Sequence, residues 1–206
     1  HARDLPANLL ERNKIFLSAI GSPDPYGRQL DGLGGGISSL SKIVIIEPSR
    51  RPGIDIDYTF GQVIINSPDV DYSATCGNLS SSVGPFAVDE GLVSVSDGKA
   101  LLRIFNTNTN KVFESRFAVM NGIAQTTGDF TIPGVAGSAA PIRLDFLDPG
   151  GAGTGLLLPS GNINSLIELN DGTKLEICCI DATSACVFVA AADLNLTATE
   201  LPSELE

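Results

Sequence analysis

Cys76-Gly77-Asn78-Leu79-Ser80-Ser81-Ser82-Val83-Gly84-Pro85-Phe86-Ala87-Val88-Asp89-Glu90-Gly91 is the segment whose reading decides the fold. Leu79, Val83, Phe86 and Ala87 recur at the spacing of one helical face, so a helix is expected from Asn78 to Glu90. Gly91 is placed to end it. Ser80, Ser81, Ser82 and Gly84 put small side chains on the other faces, which suits a helix enclosed by a curved sheet. Pro85 should kink this helix or remove one of its hydrogen bonds.

Strands are expected on both sides of the helix. Lys42 to Glu47 is β-branched and reads as a buried strand. Ile54, Ile56, Tyr58 and Phe60 alternate with polar or small residues, giving a half-buried strand that Val63 to Ile65 extends past a break at Gly61. Ala100–Phe105 and Val112–Val119 flank a polar turn, and Ile142–Leu147 forms a further strand. Lys14–Ile20 is compact and apolar and also reads as a strand. Asp148 to Gly155 is glycine-rich and marks a change in composition. A domain boundary is therefore expected there, dividing the chain into 1–148 and 149–206. Beyond it, Ser165–Leu169 and Lys174–Ile180 flank Asn170-Asp171-Gly172, a strong hairpin signal. Val187–Ala190 is a last short strand. The class is α+β.

A chain of 206 residues that is 43% hydrophobic can bury one full domain core, or one domain and part of another. A net charge of -11 disfavours nucleic acid and anionic membrane, which would both be repelled. A small anionic substrate remains possible where local donors, such as helix N-termini and one or two cations, oppose the overall field. No apolar run has the length of a membrane span. Cys76, Cys178, Cys179 and Cys186 form no spaced disulfide framework, which points to a reducing, intracellular and cytoplasmic setting. With no CxxC pair and His1 as the single histidine, no metal site is expected.

Few residues are placed to carry chemistry. Cys178, Cys179 and Cys186 stand in apolar strand contexts and read as small buried hydrophobes. Cys76 differs, because it lies between a polar segment and a helix start, where unpaired backbone N–H groups favour a thiolate. Lys42 opens a buried strand after a long flexible loop; a desolvated lysine in such a place can act as a base. Within that loop, Gly32-Leu33-Gly34-Gly35-Gly36-Ile37-Ser38-Ser39 fits neither the P-loop nor the dinucleotide fingerprint. Its backbone N–H groups and hydroxyls could still receive a carboxylate or phosphate. Asp24, Arg28 and Asp31 read mainly as residues that fold the loop. No GxSxG elbow is present, and no histidine is placed to activate a serine.

The run Gly21-Ser22-Pro23-Asp24-Pro25-Tyr26-Gly27-Arg28-Gln29-Leu30-Asp31-Gly32-Leu33-Gly34-Gly35-Gly36, its ending Ser38-Ser39-Leu40-Ser41-Lys42, and the later Cys76-Gly77-Asn78 together resemble the PrpF family. Leu157-Leu158-Pro159-Ser160-Gly161-Asn162 adds support. This family comprises 2-methylaconitate cis-trans isomerase, methylitaconate Δ-isomerase, aconitate isomerases and related tautomerases. The resemblance implies a diaminopimelate epimerase-like fold: two similar domains, each a curved mixed sheet wrapped around a central helix, with the active site in the cleft between them. It implies Lys42 and Cys76 as catalytic residues, and Ser38, Ser39, Gly77 and Asn78 as contacts to substrate carboxylates. It implies no cofactor, and a small unsaturated tricarboxylate as substrate. Family members are about twice as long. They carry a glycine-, serine- and lysine-containing segment before the position of His1 and most of a second domain. The chain is accordingly expected to be a fragment, inactive alone, whose partner is the remainder of that second domain; its oligomeric state is not readable. The competing readings are a non-catalytic fragment or carboxylate-binding domain and, more weakly, an amino-acid epimerase, which would need a second thiol or equivalent base across the cleft.

Overall fold

The computed structural model describes residues 1–73 and 75–205. They divide into two compact units, His1–Asp148 and Pro149–Glu206.

The first unit opens on helix α1, Leu9–Ile20, which replaces the strand expected over Lys14–Ile20. Its ends explain the difference. The Asn8 side chain accepts the N–H groups of Leu10 and Glu11, and Gly21 closes the helix in the left-handed region. Phe16, Leu17 and Ile20 form the buried stripe, a helical rather than an alternating spacing. The apolar window Lys14–Ile20 is too short to separate the two periods. The cap at Asn8, outside that window, is the signal that could have done so.

Seven strands follow: β1 Lys42–Pro48, β2 Ile56–Val63, β3 Val70–Asp71, β4 Gly98–Asn106, β5 Lys111–Met120, β6 Ile123–Ala124 and β7 Arg143–Phe146. The sheet runs β1-β2-β4-β5-β6, with β3 on β2 and β7 on β5. The β2–β4 pair is parallel and the other pairs are antiparallel, so the sheet is mixed. Helix α2, Gly77–Asp89, is the connection between β3 and β4 and packs on this sheet.

The continuous apolar run of β1 is explained by cover on both faces. Ile45 joins Val63 and the α1 residues Phe16, Leu17 and Ile20 in one cluster. Its neighbour Ile46 joins Ile56, Tyr58, Phe60, Val83 and Ala87 in the other. Tyr58, Phe60 and Phe113 are fully buried, each stabilising the fold by about 2 kcal/mol relative to exposure. No break occurs at Gly61: β2 runs through it to Val63, and the missing side chain makes room for Ile43 on the paired strand, whose Cδ1 lies 2.7 Å from where a Cβ would stand.

Helix α2 buries Ser80, Val83, Gly84, Ala87 and Val88. Phe86, expected on this face, points outward at 41% exposure. The small residues define the packed side: a Cβ on Gly84 would come within 2.7 Å of both Phe117 and Ser115, so glycine lets the helix lie close on β5. Pro85 lies within the helix, which continues to Asp89. Gly91 then closes it, its N–H on Val88 O and that of Leu92 on Ala87 O, the paired bonds of a Schellman motif.

The second unit is a three-stranded antiparallel sheet of β8 Ser165–Glu168, β9 Lys174–Ala182 and β10 Ser184–Val189. Asp171-Gly172 turns β8 into β9 as expected, with Gly172 at φ 86° and the Asp171 carboxylate accepting the Thr173 N–H. Asp181 is buried; its Oδ2 accepts from the Gly153 and Thr154 N–H groups and the Thr154 hydroxyl, fixing the glycine-rich stretch that opens this unit.

Candidate functional site

Lys42 and Cys76 meet. Lys42 is the first residue of β1, and Cys76 is the N-cap residue of α2. Lys42 Nζ donates to Cys76 Sγ at 3.4 Å. Both side chains are half-buried.

Each partner reaches this point differently. The loop Gly21–Ser41 is folded upon itself. The Asp24 carboxylate accepts from the N–H groups of Tyr26, Arg28 and Gln29, and these bonds hold it below the usual carboxylate range, Tyr26 contributing most. Gln29 is almost fully buried; its amide donates to Ser22 Oγ and accepts from the Gly36 N–H and the Ser41 hydroxyl. The N–H groups of Leu33 and Gly34 bond the Ala19 and Ile20 carbonyls, satisfying the C-terminal end of α1. This corrects the expectation that the glycine-rich run offers its N–H groups to an anion. Four of them, those of Gly32, Leu33, Gly34 and Gly36, bond the protein itself, and its glycines permit close packing. A Cβ on Gly32 would lie 2.3 Å from the Ile20 carbonyl carbon.

Ser38 and Ser39 form an exposed single turn of 3-10 helix, Ser38–Leu40, immediately before β1. Gln62, opposite Lys42 in the β1–β2 register, donates to Ser38 O and Ser41 O and so ties this turn to the sheet. The serines therefore stand on the lysine side of the site.

On the cysteine side, the chain before α2 is held from outside. Tyr72 donates its hydroxyl to Asn13 of α1. Asn108 donates to the Tyr72 and Phe60 carbonyls, and Asn106 donates to Thr75 Oγ1. Beneath Cys76, Ser80 Oγ donates to the Cys76 carbonyl at 2.8 Å and lies 3.3 Å from the Tyr58 hydroxyl. Burial raises the Tyr58 phenol above its ordinary value, against the lowering effect of hydrogen bonds with Ser80 and Thr75, so it stays neutral beside the thiol. No side chain at the N-cap accepts from the first turn of α2. The helix start therefore presents the Gly77 and Asn78 N–H groups without intrahelical acceptors, at the positive end of its dipole. A Cβ on Gly77 would meet nothing within 4 Å, and both residues are exposed.

Gly77, Asn78 and Ser81 line one side of a groove of about 370 Å³ whose other side carries Phe130, Ile132 and Ile142. Sequence reasoning missed this apolar wall, because the segment between β6 and β7 has no strand period. Its single isolated bridge pairs Phe130 with Ala139. A larger cavity of about 640 Å³, bordered by Asp24, Arg28 and Asp31, includes neither Lys42 nor Cys76, so size alone does not locate the chemistry. Ser160-Gly161 lies in a tight turn of the second unit, with the Gly161 N–H on Leu158 O.

Among the described residues, no group of three or more His, Cys, Asp and Glu side chains is placed to hold a metal ion, and no helix is long and apolar enough to cross a membrane. The four cysteines are free thiols.

Two relatives show the same lineage. The chain is 44% identical over 199 residues to a 3-methylitaconate isomerase of Eubacterium barkeri, covering 97% of this chain and 52% of that protein. It is 44% identical over 198 residues to a 2-methyl-aconitate isomerase of Cupriavidus necator, covering 92% of this chain and 50% of that protein. The crystal structure of a methylitaconate-delta-isomerase superposes with a TM-score of 0.78 at 43% identity, over 98% of this chain and 51% of that one. The chain thus spans about half the length of the relatives it matches. The fold described above is thus shared with that solved structure, and the model of the PrpF protein family matches residues 1–206: the chain belongs to the PrpF family.

Proposed function

We propose that this chain carries the proton-transfer pair of an isomerase of small unsaturated tricarboxylates of the aconitate or methylaconitate type. The observation that carries this reading is the 3.4 Å contact between Lys42 Nζ and Cys76 Sγ at the start of α2, whose first N–H groups have no intrahelical acceptor. The names of the relatives agree with it.

In this reading the Lys42 amine, acting as the base, takes a proton from the carbon allylic to the substrate double bond. The electron pair left behind delocalises through that double bond onto a carboxylate, giving a dienolate. The Gly77 and Asn78 N–H groups, with the α2 dipole behind them, stabilise the charge growing on the carboxylate oxygens. The proton then returns from the Lys42 ammonium. Return to the same carbon after rotation about the weakened double bond gives cis-trans isomerisation; return to the far end of the allyl system shifts the double bond. Cys76 shares a hydrogen bond with the lysine and serves as a second proton carrier or as a contact to the carboxylate. The cycle balances in protons and transfers no electrons between molecules, so it needs no redox cofactor. Ser38 and Ser39, exposed next to Lys42, are the further carboxylate contacts.

Incubation of the full-length parent protein with trans-aconitate or 2-methylaconitate in heavy water, followed by proton NMR, tests the reading. The expected result is isomer formation with deuterium entering the allylic position. Absence of both on every aconitate-like acid tried refutes it.

A further inference from the structure

Asn106, the last residue of β4, is 3% exposed, and all its polar bonds concern backbone placement. Its Oδ1 accepts from the Asn108 and Thr109 N–H groups, at 2.9 and 3.3 Å, and so builds the turn from β4 to β5. Its Nδ2 donates to Thr75 Oγ1 at 2.7 Å. Thr75 immediately precedes Cys76. A second residue of the same turn, Asn108, donates to the Tyr72 carbonyl at 2.7 Å and is itself clamped to β2, accepting from the Phe60 N–H at 2.7 Å. The polar turn thus grips the chain on its way into α2 at two points, and the grip nearer the thiol is the Asn106–Thr75 bond.

The buried Tyr58 hydroxyl also bonds the Thr75 side chain, from the side of the sheet. The Cys76 side chain makes no cap bond to its own helix. The Ser80 hydroxyl acts on the Cys76 carbonyl rather than on sulfur. Lys42 approaches from β1, whose register is set independently by seven pairs with β2. The distance between amine and sulfur therefore depends on how the segment ending at Thr75 is held against the sheet, and β4 supplies part of that hold through a buried amide.

We propose that Asn106, acting through Thr75, is a positioning residue that holds the Cys76 thiol at the start of α2 within reach of Lys42. This rests on the functional reading above for its purpose, and its test does not need that reading. The rate of Cys76 alkylation by iodoacetamide, followed by mass spectrometry of the Cys76 peptide at neutral pH, reports how far the helix start and the Lys42 contact set the reactivity of the sulfur. Thr75→Val keeps the shape and removes the acceptor; Thr75→Ser keeps the hydroxyl; Asn106→Ala removes the donor. Loss of one hydrogen bond of this kind is expected to slow alkylation by about fivefold in Thr75→Val and in Asn106→Ala. The double variant should be no slower than Thr75→Val alone, and Thr75→Ser should retain the parent rate. Simple loosening of the fold would expose the thiol and speed the reaction, so the direction separates positioning from stability. An unchanged or faster rate in both Thr75→Val and Asn106→Ala, with native circular dichroism, overturns the proposal. If the rates fall as expected and no aconitate-like acid is isomerised, the positioning role stands and the functional reading fails.

Discussion

Two approaches lead to one pair of atoms, and they are built on opposite plans. The approach to Lys42 is long and self-contained: Asp24 and Gln29 bond the loop's own backbone, and the N–H groups of its glycine-rich run close the end of α1. The approach to Cys76 is short and held from elsewhere, by Asn106, Asn108 and Asn13. The first looks in sequence like an anion cradle and spends half of those donors on the protein itself. The second is inconspicuous and ends on a helix start whose first donors have no intrahelical acceptor. Glycine content therefore does not show where an anion would bind; the fate of the backbone N–H groups does.

The most forceful way to break the comparison is to remove its end points. In the full-length protein, Lys42→Ala and Cys76→Ala are each expected to lower turnover by about a hundredfold or more while leaving circular dichroism and thermal unfolding near those of the unsubstituted protein. Near-normal turnover in either variant removes that residue from the mechanism.

The glycines offer a sharper contrast. Gly32→Ala places a methyl 2.3 Å from backbone atoms of Gly21 and Ile20, which cannot swing away, and should cost about 3 kcal/mol in urea unfolding. Gly77→Ala meets open space, and its stability should stay within about 0.5 kcal/mol of the parent. Equal losses would show that the two glycine settings are not distinct. Gln29→Ala, which leaves the Gly36 N–H without its acceptor in a part-buried setting, should cost about 2 kcal/mol by the same measurement.

The smallest expected effect lies in acid. Asp24 is held below its ordinary 3.8 by three backbone N–H groups, and Asp71, on the cysteine side, by Ser73. A carboxylate with a lowered folded value contributes stability that is complete above the unfolded value and disappears as the pH falls through the folded one. Asp24→Asn should therefore flatten the decline of thermal stability below about pH 4. Asp71→Asn should flatten it less, because fewer donors act on it. A larger change for Asp71→Asn would reverse the ranking of the two approaches.

Much of this was legible in the sequence where local pattern and tertiary setting agree. The α2 segment, the strands on both sides of the Asn106–Asn110 turn, and the Asp171-Gly172 hairpin carry their own periodicity and punctuation, and they stand where expected. The α1 helix was misread because its apolar window is short and its N-cap lies outside it. Phe86 fits the helical period, but the packed face is set by the residues small enough to approach the sheet, and those are Ser80, Gly84 and Ala87. The apolar wall at Phe130–Ile142 had no period to read.

By itself, the sequence determined the residue types: one lysine opening a buried strand, one thiol at a helix start, and an acidic chain of net charge -11. Only the tertiary structure decided that the lysine and the thiol touch, that the glycine-rich loop closes the end of α1, and that two asparagines from a distant turn bond the chain leading to the cysteine. The physical reason is that residue type and local period are properties of a few neighbouring positions. A hydrogen bond between Lys42 and Cys76, or between Asn106 and Thr75, exists only after β1, β2 and β4 have paired and brought remote parts of the chain within 3.4 Å and 2.7 Å.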